Sequence, residues 1–341
     1  MNIRNVAIIA HVDHGKTTLV DQLLKKSETL QARENIEERA MDSNDLERER
    51  GITILAKNTA LRYKGYKINV LDTPGHADFS GEVERIMKMV DGVLLVVDAY
   101  EGVMPQTRFV LKEALANNLI PIVVVNKIDK DSARPQEVVD EILELFIELG
   151  ATDEQIEFPV VYCSATHGTS SLDPDISTQQ ETMNPILDLI IKHIPAPNVS
   201  KDGYLQFQGA LLDYNDYVGR MAIGRIARGV MKQNEMVSCI RRDGSIVQFR
   251  IQKLYSFLGL HRNEVAEAEA GDIVAVAGLP DIFVGETICN IGHEEALPPI
   301  KVSEPTVEMY FSTNNSPFSG KEGKFVTSTK LEDRLYRETQ R

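Results

Sequence analysis

Cysteine is scarce in this sequence, and its three copies, Cys163, Cys239 and Cys289, stand far apart. No pair has the spacing of a disulfide framework or of a zinc site, so we expect ordinary reduced thiols. Long hydrophobic runs are also missing, since runs such as residues 93–97 are far too short to cross a bilayer. The first residues lack a signal-peptide pattern, because Arg4 precedes only a brief apolar stretch. These absences predict a cytoplasmic protein with no membrane partner.

A basic excess is absent as well. The formal net charge is -14, which argues against a chain that binds nucleic acid over its whole surface. Residues 1–200 contain 20 basic and 32 acidic residues, whereas residues 201–341 contain 17 and 19, so the acidic excess lies in the first part. Any contact with RNA phosphates would come from a region outside this chain or from a local basic patch. The candidate patch consists of Arg220, Arg225, Arg228 and Lys232.

The first 200 residues alternate short apolar runs with amphipathic stretches. This rhythm predicts an α/β domain with a mostly parallel, doubly wound sheet over residues 1–198. The predicted strands cover 4–10, 92–98, 121–125 and 158–163, with a hairpin around Gly65, and the predicted helices begin at 17 and cover 106–117, 135–149 and 185–193. The polar run 166–183 is predicted to be a surface loop, and prolines at 195 and 197 indicate a linker.

The pattern changes after residue 203 to short alternating runs separated by glycine turns. Predicted strands over 206–212, 221–226, 237–241, 246–254 and 272–277 are typical of a small antiparallel β-barrel, here over residues 199–302. Residues 303–341 offer one strand (306–311), a glycine-rich loop (319–323) and one helix (330–338), too little to bury a core. We therefore expect the truncated start of a third, α+β domain and a chain that is a fragment of a longer protein.

Three short motifs follow predicted buried strands of the first domain. They are AHVDHGKT at 10–17, DTPGH at 72–76 and NKID at 126–129. Ligands bind at the carboxyl ends of the strands in such sheets. The order of the motifs predicts one pocket for a guanine nucleotide, Mg²⁺ and a hydrolytic water.

The first motif predicts a phosphate-binding loop. A small-residue turn between a strand and a helix points several N–H groups at one place, and the helix N-terminus adds partial positive charge. Lys16 would neutralise the β- and γ-phosphates, and Ala10 stands where the usual pattern has its first glycine. Taken alone, the motif could be a chance Gly-Lys-Thr turn. The predicted nucleotide contacts here are Asp13, His14, Gly15, Lys16, Thr17 and Thr18.

The second motif predicts the metal site and the attacking water. Mg²⁺ would be held by Thr17, Thr53 and Asp72. The N–H of Gly75 would sense the γ-phosphate, and His76 would position the water, a role that glutamine fills in other phosphate-loop hydrolases. The alternative for His76 is a simple cap on the following helix.

The third motif predicts selection of guanine. The carboxylate of Asp129 can accept from N1–H and N2–H₂ of guanine, whereas adenine would leave it buried without donors. Asn126 would bond the other edge of the base or brace the loops, and Lys127 would lay its stem over the ring. Ser164 and Ala165 follow the fifth predicted strand, where their backbone N–H groups could reach guanine O6.

With the barrel that follows, these motifs resemble the translational GTPases, and most closely the BipA (TypA) family. The resemblance covers the whole chain and rests also on MDSNDLERERGIT at 41–53, DTPGHADF at 72–79 and SPFSGKEGKFVT at 316–327. It implies a ribosome-stimulated GTPase in which Val12 and Ile52 form an apolar gate beside His76, and Asp13 helps bind a monovalent cation. The catalytic set would then be His76, Lys16, Val12, Ile52 and Asp13.

The resemblance also implies the biological setting. It indicates large-subunit assembly or stress-adapted translation, with ribosomal RNA and ribosomal proteins as partners and with ppGpp as a further ligand of the pocket. We expect a monomer. Three other functions share the motifs: a nucleotide-gated ribosome-binding module whose hydrolysis is incidental, a translocation factor of the elongation factor G or LepA type, and a GTPase attached to a metabolic complex such as sulfate activation. The segments at 41–53 and 316–327 argue against the last of these.

Overall fold

The computed structural model describes residues 2–27, 29, 56–74, 80–300, 307–317 and 327–339. A seven-stranded sheet organises the first part of the chain. Its strands are β1 (Ile3–Ala10), β2 (Lys57–Tyr63), β3 (Tyr66–Asp72), β4 (Gly92–Asp98), β5 (Ile120–Asn126), β6 (Val160–Ser164) and β7 (Thr169–Ser171). From one edge of the sheet to the other, they lie in the order β2, β3, β1, β4, β5, β6 and β7. The five inner strands are parallel, and β2 and β7 are antiparallel edges.

Helices cover both faces of this sheet. They are α1 (Lys16–Lys26), α2 (Ser80–Met87), α3 (Pro105–Ala116), α4 (Pro135–Glu148), α5 (Asp153–Ile156) and α6 (Asn184–His193). Successive residues of β1 alternate between the two cores: Ile8 packs with α1 and α6, and Ile9 packs with α2, α3 and α4. Burial on both faces explains the continuous apolar runs, such as the seven buried residues of β4. The predicted doubly wound α/β fold is confirmed.

The predicted loop over 166–183 is wrong in one respect. It contains β7 and a short 3₁₀ helix, Ile176–Thr178. Ser170 exchanges both backbone hydrogen bonds with Gln180, at 3.0 and 3.2 Å. A three-residue polar strand at a sheet edge is stabilised by backbone pairing and by hydroxyl hydrogen bonds, such as that of Ser170 to the carbonyl of Thr182, so its sequence shows no apolar alternation.

Antiparallel strands form the second part of the chain. Eight of them make one sheet around a core that includes Phe207, Leu254 and Ile288, and two others form a separate ribbon. The strands are β8 (Gln206–Asn215), β9 (Gly219–Arg228), β10 (Val230–Lys232), β11 (Met236–Ile240), β12 (Ile246–Arg250), β13 (Lys253–Leu258), β14 (His261–Glu264), β15 (Glu267–Glu269), β16 (Ile273–Ala277) and β17 (Thr287–Asn290). This architecture agrees with the predicted barrel.

One predicted strand of the barrel is two strands. The run 246–254 divides into β12, which pairs with β11, and β13, which pairs with β16. The change of partner occurs at Ile251 and Gln252, whose N–H groups donate to Glu235 and Ala277. A continuous apolar pattern cannot reveal such a change, because both halves bury side chains in the same core.

Polar contacts join the two parts of the chain. Arg225 pairs with Asp91 at 2.8 Å, and Lys67 pairs with Asp272 at 2.7 Å. Asn5 donates to the backbone carbonyl of Gly271 at 3.0 Å. The residues of the first part lie at the amino ends of β1, β3 and β4, so the barrel is docked at the edge opposite to the predicted nucleotide pocket.

The tail contains α7 (Ser328–Glu338), begun by Thr327, whose hydroxyl accepts from the N–H of Lys330 at 3.4 Å. The helix was predicted, but none of its residues is buried. The strand predicted over 306–311 is not formed over the described residues 307–311, where no neighbouring strand offers backbone partners. No helix within the described ranges is both long and apolar enough to span a membrane.

Candidate nucleotide-binding site

The segment between β1 and α1 has the backbone of an anion-binding loop. Asp13 and Gly15 both have positive φ angles, 64° and 90°. Such turns aim successive N–H groups into one concavity. The first turn of α1 carries no acidic residue, so the partial positive charge of the helix N-terminus is available to an anion.

The predicted phosphate lysine and the predicted metal carboxylate lie together. Lys16 is only 7% exposed, and its Nζ lies 2.9 Å from Oδ1 of the fully buried Asp72 at the end of β3. The next residue, Thr73, donates its hydroxyl to the carbonyl of Ile8 at 2.8 Å, which ties the end of β3 to β1. Thr17 and Thr18 are half-buried in the first turn of α1 beside this pair.

Asn126 braces the loops around the pocket. Its Nδ2 donates to the carbonyl of His14 at 2.9 Å, and its Oδ1 accepts from the N–H of Ala165 at 2.9 Å. The thiol of Cys163 donates to the same oxygen at 3.4 Å. Because both ends of the amide are engaged by protein groups, the geometry favours the bracing role over direct bonding to the base.

Lys127 reaches from the third motif to the first. Its Nζ donates to the carbonyl of Asp13 at 2.5 Å and pairs with the carboxylate of Asp98 at 2.8 Å. Asp129, two residues further, keeps about a third of its side chain exposed, 35%, with Nδ1 of His167 at 3.7 Å. His167 in turn contacts the buried hydroxyl of Ser164 at 2.9 Å. The Asp129 carboxylate is therefore partly accessible, and its role in guanine recognition stays a prediction.

His14 sits inside the protein instead of lining the pocket. Its ring is fully buried, and Nδ1 accepts the N–H of Asp98 at 3.3 Å while Nε2 lies 3.2 Å from Glu101. Burial lowers the pKa of His14, with a further lowering from His11. The neutral ring then donates from Nε2 to Glu101, and it fixes the phosphate loop to the segment after β4.

Two family models match this chain: the elongation factor Tu GTP binding domain over residues 1–196 and elongation factor Tu domain 2 over residues 219–289. The chain belongs to the family of the elongation factor Tu GTP binding domain. Its first 196 residues are thus a GTP-binding domain.

Curated relatives extend this likeness over nearly the whole chain. The large ribosomal subunit assembly factor BipA of Bacillus subtilis (strain 168) is 64% identical over 339 residues, which are 99% of this chain and 55% of the relative. BipA of Salmonella typhimurium is 56% identical over 337 residues, and BipA of Escherichia coli (strain K12) is 56% identical over 336, each with 55% of the relative covered. These identities confirm the resemblance to the BipA family, and the chain spans about half the length of the relatives it matches.

Several predicted site residues of this GTP-binding domain lie outside the described ranges. They are Ile52, Thr53, Gly75 and His76, whose roles stay predictions. Val12 is half-buried and Asp13 is exposed on the phosphate loop. Over the part of the chain that the structure describes, no group of three or more His, Cys, Asp or Glu side chains could hold a metal. One carboxylate with hydroxyl oxygens nevertheless suits Mg²⁺, which takes its other ligands from phosphates and water.

Sequence reasoning missed Asp98, Glu101 and His167. Asp98 had a recognisable signal, because it is a carboxylate at the carboxyl end of the fully buried strand β4, the edge where Asp72 and Asn126 also end their strands. Glu101 and His167 are loop residues, and only the fold brings them to the pocket.

Proposed function

We propose that this chain is the nucleotide-dependent switch of a ribosome-associated GTPase that hydrolyses GTP to GDP and phosphate. Ribosome binding would depend on the bound nucleotide, and the setting would be large-subunit assembly or stress-adapted translation. The printed name of the relatives, large ribosomal subunit assembly factor, supports the setting. A ribosomal partner would place the protein in the cytoplasm, and we propose that it acts there as a monomer.

One observation carries the nucleotide part of this proposal. The phosphate loop, the NKID loop and the Ser164–Ala165 turn are joined by direct hydrogen bonds: Asn126 donates to His14 and accepts from the N–H of Ala165, and Lys127 donates to Asp13. The loops that would contact the phosphates and the base are therefore already held in position relative to one another. Because these loops need no rearrangement, little ordering entropy remains to be lost when a nucleotide binds, and this favours tight binding.

We assign the reacting groups as follows. Lys16 binds the β- and γ-phosphates, and Asp129 accepts both donors of the guanine edge. Mg²⁺ would be held by Thr17, Asp72 and Thr53 with phosphate oxygens, and it supplies neutralisation of the charge that develops on the transferred phosphoryl group. The buried pair of Lys16 with Asp72 supports this assignment, since a lysine for phosphate and a carboxylate for metal stand side by side.

His76 orients the attacking water, and Val12 with Ile52 shields it until the ribosome acts. Asp13 contributes to a monovalent cation site near the phosphates, and ppGpp would occupy the same pocket as GDP. We propose three domains: GTP-binding over 1–198, barrel over 199–302, and the start of an α+β domain over 303–341.

The test is GTP hydrolysis by the protein with and without purified ribosomes, beside the variant His76→Ala. We expect slow hydrolysis alone, because the chain shows no arginine finger among its motifs, and strong stimulation that needs His76. GTP affinity, measured by titration on the same samples, should be unchanged within a few fold.

Two other outcomes would redirect the proposal. Loss of GTP affinity in His76→Ala would make His76 a structural residue. Tight GTP binding without any ribosome stimulation would favour the nucleotide-gated binding module, in which differential affinity of the GTP and GDP forms for the ribosome, and not turnover, carries the function.

A further inference from the structure

Asp98 lies where the phosphate loop and the base-recognition loop meet. It is the last residue of β4, which runs between β1 and β5, and it stands opposite Asn126 in the parallel register. Its side chain is fully buried. Buried carboxylates are retained only where cations and hydrogen-bond donors satisfy them, so the partners of Asp98 indicate its purpose.

Two lysines and two backbone donors satisfy this carboxylate. Oδ2 lies 2.8 Å from Nζ of Lys127 and 3.0 Å from Nζ of Lys130, and Oδ1 accepts the N–H of Tyr100 at 2.8 Å and that of Glu101 at 3.4 Å. Burial alone would raise the pKa of Asp98, but the bonds from Lys127, Tyr100 and Lys130 together hold it well below the usual range. The group is therefore an anion at any pH near neutrality.

This anion fixes the position of a flexible side chain. Lys127 has a long, rotamer-rich stem, and ordering such a stem costs side-chain entropy. Between the Asp98 carboxylate and the carbonyl of Asp13, its ammonium group has both a charge partner and a neutral acceptor. Its side chain keeps 26% exposure, so the stem retains a face that a ligand can cover.

The backbone of Asp98 makes a second connection to the phosphate loop. Its N–H donates to Nδ1 of His14 at 3.3 Å, and Glu101, three residues on, lies 3.2 Å from Nε2 of the same ring. The residue that anchors Lys127 is thus itself anchored to the phosphate loop. One short segment, residues 98–101, connects both halves of the nucleotide pocket.

We infer that Asp98 is a positioning residue for guanine nucleotides: it holds Lys127 in the orientation in which the lysine stem covers base and ribose. The inference rests on the proposed nucleotide function of the pocket. Asp98 does not touch the nucleotide, and its contribution to affinity passes through Lys127.

Dissociation constants for GDP, measured by titration of the whole chain, test this inference in a double-mutant cycle. Asp98→Asn keeps the shape of the side chain and removes its charge, and we expect GDP affinity to fall about tenfold, equivalent to about 1.4 kcal/mol. Lys127→Met should weaken binding at least as much. In the Lys127→Met background, Asp98→Asn should change affinity by no more than about twofold, because the residue that transmits its effect is absent.

Lys130→Met is the matched control. Lys130 contacts the same carboxylate but makes no bond to the phosphate loop, so GDP affinity should stay within about twofold of the wild type. Circular dichroism and the thermal midpoint of each variant identify any that fails to fold. Since the cycle compares binding among folded variants, a general loss of stability would not produce the expected non-additivity.

The alternative outcomes separate this inference from the proposed function. A folded Asp98→Asn variant with wild-type GDP affinity would overturn the inference and leave the proposed function intact. Losses that multiply in the double variant would also overturn it, because Asp98 would then act independently of Lys127. Failure of the wild-type chain to bind GDP would overturn both.

Discussion

Gly15 determines whether the phosphate loop and the base-recognition loop can touch. Its φ of 90° lies in the left-handed region, and a Cβ built there would overlap Nδ2 of Asn126. That amide nitrogen makes the 2.9 Å bond to the carbonyl of His14. Any side chain at this position would therefore strain the backbone and also push apart the two loops that frame the nucleotide.

We expect Gly15→Ala to destabilise the fold by about 1–3 kcal/mol and to weaken GDP binding severely. Urea unfolding and GDP titration measure the two effects on the same sample. Gly65→Ala is the matched control, because Gly65 has a similar φ of 76° but no atom within 4 Å of the added Cβ. It should show the backbone strain alone, about 1 kcal/mol, with unchanged GDP affinity. Equal loss of GDP affinity in both variants would contradict the importance of the loop contact.

Single residues of the pocket differ in how far sequence alone could assign them. Lys16 and Asp129 sit in motifs whose spacing already predicts phosphate and guanine contacts. Asn126 had two possible roles, and only its bonds to His14 and Ala165 favour bracing. Asp98 belongs to no motif, because its role depends on which loops the sheet order brings beside the end of β4.

Helices and strands were predictable where burial imposes a pattern. Residues 92–98 were predicted as a strand and are β4 to the residue, since a strand buried on both faces must be apolar throughout. The strands β7, β10, β14, β15 and β17 were missed, and each is at most four residues long. Over β14 all four residues are exposed, so backbone pairing with β13 and surface ion pairs hold the strand, and neither leaves an apolar alternation in the sequence.

Helix α7 provides a prediction at this level. It contains no buried residue, and an isolated helix of 11 residues is marginal in water. We expect its amide protons to exchange far faster than those of α6, a helix of 10 residues with four buried side chains. Hydrogen exchange followed by mass spectrometry compares the two helices in one sample. Equal protection would mean that α7 has a packing partner beyond the described residues.

At the level of the whole molecule, the arrangement of the two parts was not predictable from sequence. Their contact combines buried apolar side chains, such as Ile86 of the first part and Leu211 of the second, with polar residues that look like ordinary strand ends: Asn5, Asn69 and Asp91 on one side, Arg225 and Asp272 on the other. Hydrophobic periodicity finds apolar faces but does not say which faces meet, and polar contacts give it no signal.

Asp272 is the centre of that interface, and its removal should loosen it. The carboxylate is 8% exposed and accepts from Nζ of Lys67 at 2.7 Å, from Asn69 at 3.2 Å and from Ser256 at 3.2 Å. Asp272→Ala removes the charged acceptor of these bonds, while Lys67 retains its bond to Ser256 and Asn69 its bond to Asn5, so we expect a loss of roughly 1–3 kcal/mol of unfolding free energy. Because the lost bonds connect the GTP-binding domain and the barrel, differential scanning calorimetry should show one transition in the wild type and two in the variant. The control is Glu264→Ala, which removes a pair with Lys253 that lies within the barrel and is 41% exposed on both sides, so it should leave stability nearly unchanged. A single unshifted transition in Asp272→Ala would mean that the apolar contacts, and not the polar ones, hold the two parts together.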